Sequence, residues 1–181
     1  MAINPTQEAL LQQLIRASSD KIDLRKKALS EIEQTADALF RNLSSEELYL
    51  LEDGDSTGPA IPLGFKIAIK LARSKSHIAQ FDEPAHVSSV IAMYNEHNRI
   101  RPSSEHPNGE DFLRVKVHQL NWLFKEFPNY SWDLTLVDDG CPNNSGNIAQ
   151  KIISEAAYPN VEVLFLEQVI QKGGTCCSGN G

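Results

Sequence analysis

The sequence predicts an α/β fold, in which a parallel-sheet, Rossmann-like half-domain follows an α-helical N-terminal region. Two apolar, β-branched runs, 86–96 and 132–140, each end abruptly in polar or acidic residues. Buried parallel strands look like this where they deliver side chains to a ligand crevice. Between them, residues 110–127 place Leu113, Val117, Leu120, Phe124 and Phe127 at intervals of four, three, four and three, one stripe of a helix. A second helical stripe and a third apolar run follow. The order strand, helix, strand, helix, strand calls for a parallel sheet with crossover helices, half of a doubly wound domain.

Asn4, with Pro5 at the first helical position and Gln7 three residues on, starts a helix that lines up Leu10, Leu11, Leu14 and Ile15. A second helix, from about Asp20 to Leu43, repeats Leu29, Ile32, Ala36, Leu39 and Leu43 at threes and fours. That stripe suits an antiparallel helical hairpin better than a coiled coil, because fewer than four heptads are present. Ser44 and Glu47 have capping-box spacing, the run Ser-Thr-Gly-Pro-Ala at 56–60 is a break, and residues 63–72 read as a further apolar helix. No chemistry is visible in residues 1–84, whose plainest role is to pack on the α/β part, bind a partner or set an oligomer.

In the second half, the first strand ends at Tyr94, Asn95 and Glu96, and the second ends at Asp138, Asp139 and Gly140. Asn144 or Ser145 caps a helix running to about Ala157, with Ile148, Ala149, Ile152, Ile153 and Ala156 facing inward and Pro159 stopping it. Residues 161–166 form the third strand. In such sheets a ligand lies outside the carboxyl ends of the strands, where Tyr94, Glu96, Asp138 and Asp139 fall.

Composition removes several function classes. A net charge of −7 and a pI of about 5.2 leave no basic footprint for nucleic acid. The N-terminus lacks the basic start and apolar core of a signal peptide, and no run approaches the ~20 apolar residues of a membrane span. Three cysteines do not suggest a disulfide framework, and a cytoplasmic location is expected. The five histidines lack paired-ligand spacing, so no metal site is assigned. The turn after the first strand is not glycine-rich and no P-loop is present, which argues against dinucleotide oxidoreductases and NTPases. Cys141, beside two carboxylates, is expected to have a raised thiol pKa and to be a poor nucleophile.

Residues 90–96, Val-Ile-Ala-Met-Tyr-Asn-Glu, resemble the Val-Ile-Pro-x-Tyr-Asn-Glu opening of family two glycosyltransferases. Residues 136–145, Leu-Val-Asp-Asp-Gly-Cys-Pro-Asn-Asn-Ser, resemble the Val-Asp-Asp-Gly-Ser-x-Asp-x-Ser segment of the same enzymes. The resemblance spans roughly residues 87–166 and implies the nucleotide-binding half of a GT-A fold, with a nucleotide-diphosphate sugar as ligand. It implies that Tyr94 and Glu96 lie beside the nucleoside, that Asp138 accepts hydrogen bonds from base or ribose, and that Asp139 turns to the ribose or caps the turn. It also implies a divalent cation, manganese or magnesium, at the donor diphosphate.

Ala92 replaces the family's proline, Cys141 its serine, and a polar insertion between Asn98 and Asp111 carries Arg99 and Arg101 beside the expected crevice as a lid or specificity element. The family's Asp-x-Asp metal motif and its later catalytic carboxylate do not occur, so no catalytic residue is assigned. The expected layout is a helical region at 1–84, an incomplete nucleotide-sugar-binding domain at 85–170 and a flexible tail at 171–181. On this reading the chain is a glycosyltransferase-like protein, truncated and incomplete for catalysis. The alternative is a non-catalytic scaffold or partner-binding protein with a degenerate α/β domain.

Overall fold

A computed structural model describes residues 4–20, 26–53 and 61–166. It contains α1 (Pro5–Ala17), α2 (Lys26–Asn42), α3 (Ser45–Asp53), α4 (Leu63–Ile78), β1 (Ala85–Met93), α5 (Phe112–Phe124), β2 (Tyr130–Asp138), α6 (Ser145–Ala156) and β3 (Val161–Phe165). The expected tail at 171–181, the break at 56–60 and the beginning of the second expected helix lie outside the described residues. The chain forms two compact units, residues 1–87 with 114–131, and residues 88–113 with 132–181.

The first unit is helical, and its core is built from the stripes visible in the sequence. Ile32, Ala36, Leu39 and Leu43 meet Phe65, Ala68, Ile69 and Ala72, with Leu11, Leu48 and Leu51 closing the cluster. Three alanines in these stripes are fully buried, and their small side chains let α2 and α4 approach closely. Both expected N-terminal boxes form. Asn4 Oδ1 accepts the Gln7 amide at 2.9 Å and Gln7 Oε1 accepts the Asn4 amide at 3.0 Å. Ser44 Oγ accepts the Glu47 amide at 3.2 Å, while Glu47 Oε2 accepts the Ser44 amide at 2.8 Å. Each box satisfies two helix-end donors, an effect typically of about 1 kcal/mol.

Helix α4 runs six residues beyond the expected Ala72, to Ile78. The added turns carry Lys75, 1% exposed, whose Nζ lies 2.6 Å from Asp37 Oδ1 and 4.1 Å from the centre of the Trp122 ring. Trp122 Nε1 donates to the other Asp37 oxygen at 3.3 Å. A polar contact between α2, α4 and α5 thus extends a helix that apolar periodicity alone ends early. Helix α5 is shorter than its stripe suggests. Asp111 sits at φ 50° before it, and beyond Phe124 the chain turns, with the Phe127 and Tyr130 amides bonding to the carbonyls of Phe124 and Phe127.

The second unit holds most of a three-stranded sheet of order β1-β2-β3. Strands β2 and β3 pair in parallel, Leu134 opposite Val161 through Asp138 opposite Phe165. Ser88 Oγ reaches Asp133 Oδ2 at 3.2 Å and His86 Nδ1 lies 2.8 Å from Ser131 Oγ, so β1 advances in the same direction as β2. The protein is therefore mixed α/β with a small parallel sheet. Leu134, Leu136, Asp138, Met93 and Val161 are buried on one face, against which α6 packs. The other face is open, although strands of a parallel sheet are expected to be covered on both sides. Among the described residues no element covers it.

Candidate functional site

The carboxyl ends of the strands converge as the pattern of the sequence requires. Met93, the last residue of β1, is buried, and Tyr94 just beyond it is 66% exposed. Asn95 then adopts φ 60°, a left-handed conformation that asparagine tolerates better than most residues. Its amide donates to Cys141 Sγ at 3.1 Å, and its Oδ1 accepts from Asn143 Nδ2. The Tyr94–Glu96 segment is thereby fastened to the turn that follows β2.

Asp138 ends β2 with its side chain inward, 4% exposed. Its Oδ1 accepts the Cys141 amide at 2.8 Å and its Oδ2 accepts the Gly146 amide at 2.7 Å. The expected local cap of α6 is absent, because Asn144 sits at φ 64° and makes no side-chain capping bond. The strand's own carboxylate fills that role, satisfying a helix-end donor and complementing the positive end of the helix dipole. Bonds to a charged acceptor contribute about 1.5–3 kcal/mol each. Gly146 is required for this approach: a Cβ there would run into the Asp138 carboxylate and the Phe165 ring. Gly140, at φ 63°, provides the turn between them.

Cys141 corrects an expectation. Burial is the largest single influence on its thiol and pushes the pKa up. Hydrogen bonds from the Ser145 hydroxyl and from the backbone at Ser145, Asn143 and Asn95 outweigh it and hold the thiol below its ordinary value. Ser145 Oγ lies 3.0 Å from Sγ. The sequence places two carboxylates next to this cysteine, but Asp138 turns inward and spends its charge on amides, so donors surround the sulfur instead.

Glu96 is paired. Both of its oxygens lie 3.0–3.2 Å from Arg99 Nη1, while Arg99 Nε donates to Glu110 Oε2 at 3.0 Å. These carboxylates, Glu110 foremost, raise the Arg99 guanidinium further above its ordinary value. Arg99 is consequently committed to the 98–111 insertion. That insertion is closed on itself, with Ile100 fully buried and the Glu110 and Asp111 amides bonding back to the carbonyls of Arg99 and Arg101 at 3.0 and 2.9 Å. Asp139 is exposed at the turn, outside the bonds that hold Asp138.

A depression of about 240 Å³ opens at the ends of β2 and β3, lined among others by Gly140, Cys141, Asn144, Asn147 and Phe165. Asp138 forms part of its floor. Asn147 and Phe165 were not singled out by the sequence, and Asn144 was read there only as a helix cap and as part of the 136–145 segment. Among the described residues there is no group of three or more histidine, cysteine or acidic side chains placed to hold a metal ion. No helix among them is long and apolar enough to cross a membrane. No family model matches the chain, and no curated protein or solved structure matches it.

Proposed function

We propose that the second unit binds the nucleoside end of a nucleotide-diphosphate sugar across the carboxyl ends of its strands, as a glycosyltransferase-like cytoplasmic protein of GT-A type. The observation that supports this reading is the pairing of Asn95 with Cys141 and Asn143, which brings both motif-bearing strand ends to one place. Tyr94 offers an exposed ring to the base, a contact of the kind that stacking aromatics provide. Asp139 is an exposed acceptor for ribose hydroxyls. Asp138 acts through the turn it holds and is a positioning residue. Glu96 and Arg99 form the rim.

The magnitudes limit the ligand. A depression of about 240 Å³ falls below the ~300–1,000 Å³ of pockets that enclose a whole small ligand, so it suits a base or nucleoside and leaves the sugar outside. The start of α6, a ready anion site in other α/β folds, is already engaged by Asp138 and Cys141. The diphosphate therefore needs a manganese or magnesium ion, or a cationic side chain, to offset its charge. Sugar transfer is assigned to none of these residues.

Calorimetric titration of the chain with UDP, GDP and their common sugars, with and without manganese, tests the reading. One nucleotude class is expected to bind, and Tyr94→Ala and Asp139→Asn are each expected to weaken it about tenfold, the loss of one stacking or charge-assisted contact. A folded protein that binds no nucleotide would reject the proposal in favour of a scaffold. That second reading is favoured by one observation, the commitment of the Asp138 carboxylate to the protein's own backbone.

A further inference from the structure

We propose that Asn108 is a site of spontaneous deamidation, held back by the turn that carries it and released when the 98–111 insertion opens. The sequence supplies the reactive pair. Asn108 is exposed and is followed by Gly109, which has no Cβ to shield its backbone nitrogen. That nitrogen can attack Asn108 Cγ, forming a C–N bond and closing a five-membered imide. The Cγ–Nδ2 bond breaks, and ammonia leaves with the proton of the attacking nitrogen. Water then opens the ring on one of two sides. Cleavage of the bond to Cγ gives aspartate, and cleavage of the bond to the main-chain carbonyl gives isoaspartate, whose backbone runs through Cγ and is one atom longer. Water is the only co-reactant.

The fold opposes the first step. His106, Pro107, Asn108 and Gly109 form a β-turn, closed by the Gly109 amide donating to the His106 carbonyl at 2.8 Å. Pro107 takes the second position, which its fixed φ suits, and Asn108 the third, outside the left-handed region. The Asn108 amide donates to His106 Nδ1 at 3.1 Å. The attacking nitrogen therefore points at His106 and must give up a short hydrogen bond before it can reach the Asn108 side chain. The product, in turn, does not fit. A Cβ added at Gly109 would run into the carbonyl groups of Arg101 and Pro102, so the chain has no slack here for an extra backbone atom. The next residue closes the insertion, because Glu110 donates its amide to the Arg99 carbonyl at 3.0 Å and accepts Arg99 Nε at 3.0 Å. Isoaspartate at 108 displaces Gly109 and Glu110 and frees Arg99 from one of its two carboxylates. Opening thus permits the reaction, and the reaction prevents reclosing.

The test needs no nucleotide and is independent of the strand-end reading. Mass spectrometry of peptides from the full chain, aged in mildly alkaline buffer, reads the conversion of the Asn108 amide to an acid, and chromatography separates aspartate from isoaspartate. Reaction depends on local opening, so the chain unfolded in guanidinium chloride is expected to deamidate at Asn108 at least tenfold faster than the folded chain. Pro107→Gly, checked for unchanged circular dichroism, loosens the turn and is expected to react at least threefold faster than folded wild type. The isoaspartyl form is expected to lose hydrogen-exchange protection at the Glu110 and Asp111 amides, whereas Asn108→Gln aged in parallel keeps it. An Asn108 that survives in the unfolded chain overturns the proposal. So do equal rates in the folded and unfolded chains, equal rates in folded wild type and Pro107→Gly, or an isoaspartyl form whose Glu110 and Asp111 amides stay protected.

Discussion

Asp138 shows how one side chain answers two demands. At the end of a strand in a ligand-binding motif, a carboxylate reads as a ligand acceptor, and the resemblance to glycosyltransferases implies that role. In the folded chain its two oxygens receive the amides of Cys141 and Gly146, holding the turn and starting α6. Asp138→Asn replaces one acceptor with a donor facing an amide donor inside a buried site. It is expected to lower unfolding free energy by about 2–3 kcal/mol, measurable as a lower midpoint in urea with an unchanged slope. An unchanged midpoint would return Asp138 to a purely ligand-binding role. Cys141 is the second residue whose surroundings reverse the expectation from sequence. In a chain carrying Cys176→Ser and Cys177→Ser, the alkylation rate of Cys141 is expected to rise with a midpoint below that of an ordinary free thiol. Removing the hydroxyl with Ser145→Ala is expected to move that midpoint upward, because a donor that favours the thiolate is lost. No shift would deny the Ser145 contact.

At the scale of elements, periodicity and caps carried the helices, and side-chain chemistry set their limits. The stripes of α2 and α4 and both capping boxes were legible because they depend on spacing along one chain segment. The extension of α4 to Ile78 was not, because Lys75 finds its carboxylate 38 residues away and its aromatic partner on α5. Breaking this contact by Asp37→Ala leaves the buried Lys75 ammonium with only the more distant Glu126 carboxylate, at 3.8 Å, and deprives the Trp122 indole of its acceptor. The expected cost is about 1.5–3 kcal/mol by denaturant titration, the range for losing a hydrogen bond to a charged group. A cost below 1 kcal/mol would mean that Asp37 contributes no more than an exposed surface pair. The start of α6 was also hidden, since its cap comes from the preceding strand and not from the adjacent Asn144.

For the whole molecule, stability should depend on pH through carboxylates that the fold holds in ionised form. Glu47 is lowered chiefly by the Ser44 amide, and Glu52 chiefly by Arg73 and then Lys70. Groups whose folded pKa is depressed bind fewer protons when folded than when unfolded. Their contribution is complete above the unfolded glutamate value, about 4.3, and is lost as pH falls from there through the lower folded values. Thermal midpoints are therefore expected to be flat near neutrality and to fall below about pH 4.3. Glu47→Gln, which keeps a capping acceptor but cannot titrate, is expected to reduce that acid slope. An identical slope in the variant would exclude Glu47 as a contributor.

The sequence by itself determined the α/β class, the order of strands and helices, and the position of the two strand ends, because hydrophobic period and helix-start chemistry are local properties of the chain. It also placed Tyr94, Glu96, Asp138 and Asp139 at the strand ends, and of these Tyr94 and Asp139 are exposed. Only tertiary structure decided that Asp138 points inward, that Glu96 and Arg99 neutralise each other, that Cys141 is ringed by donors, and that one face of the sheet stays open. The physical reason is common to all four. A side chain's electrostatic role is fixed by whichever donors, charges and surfaces come within a few ångströms of it, and those come from segments far away in the chain or, for the open face, do not come at all among the described residues.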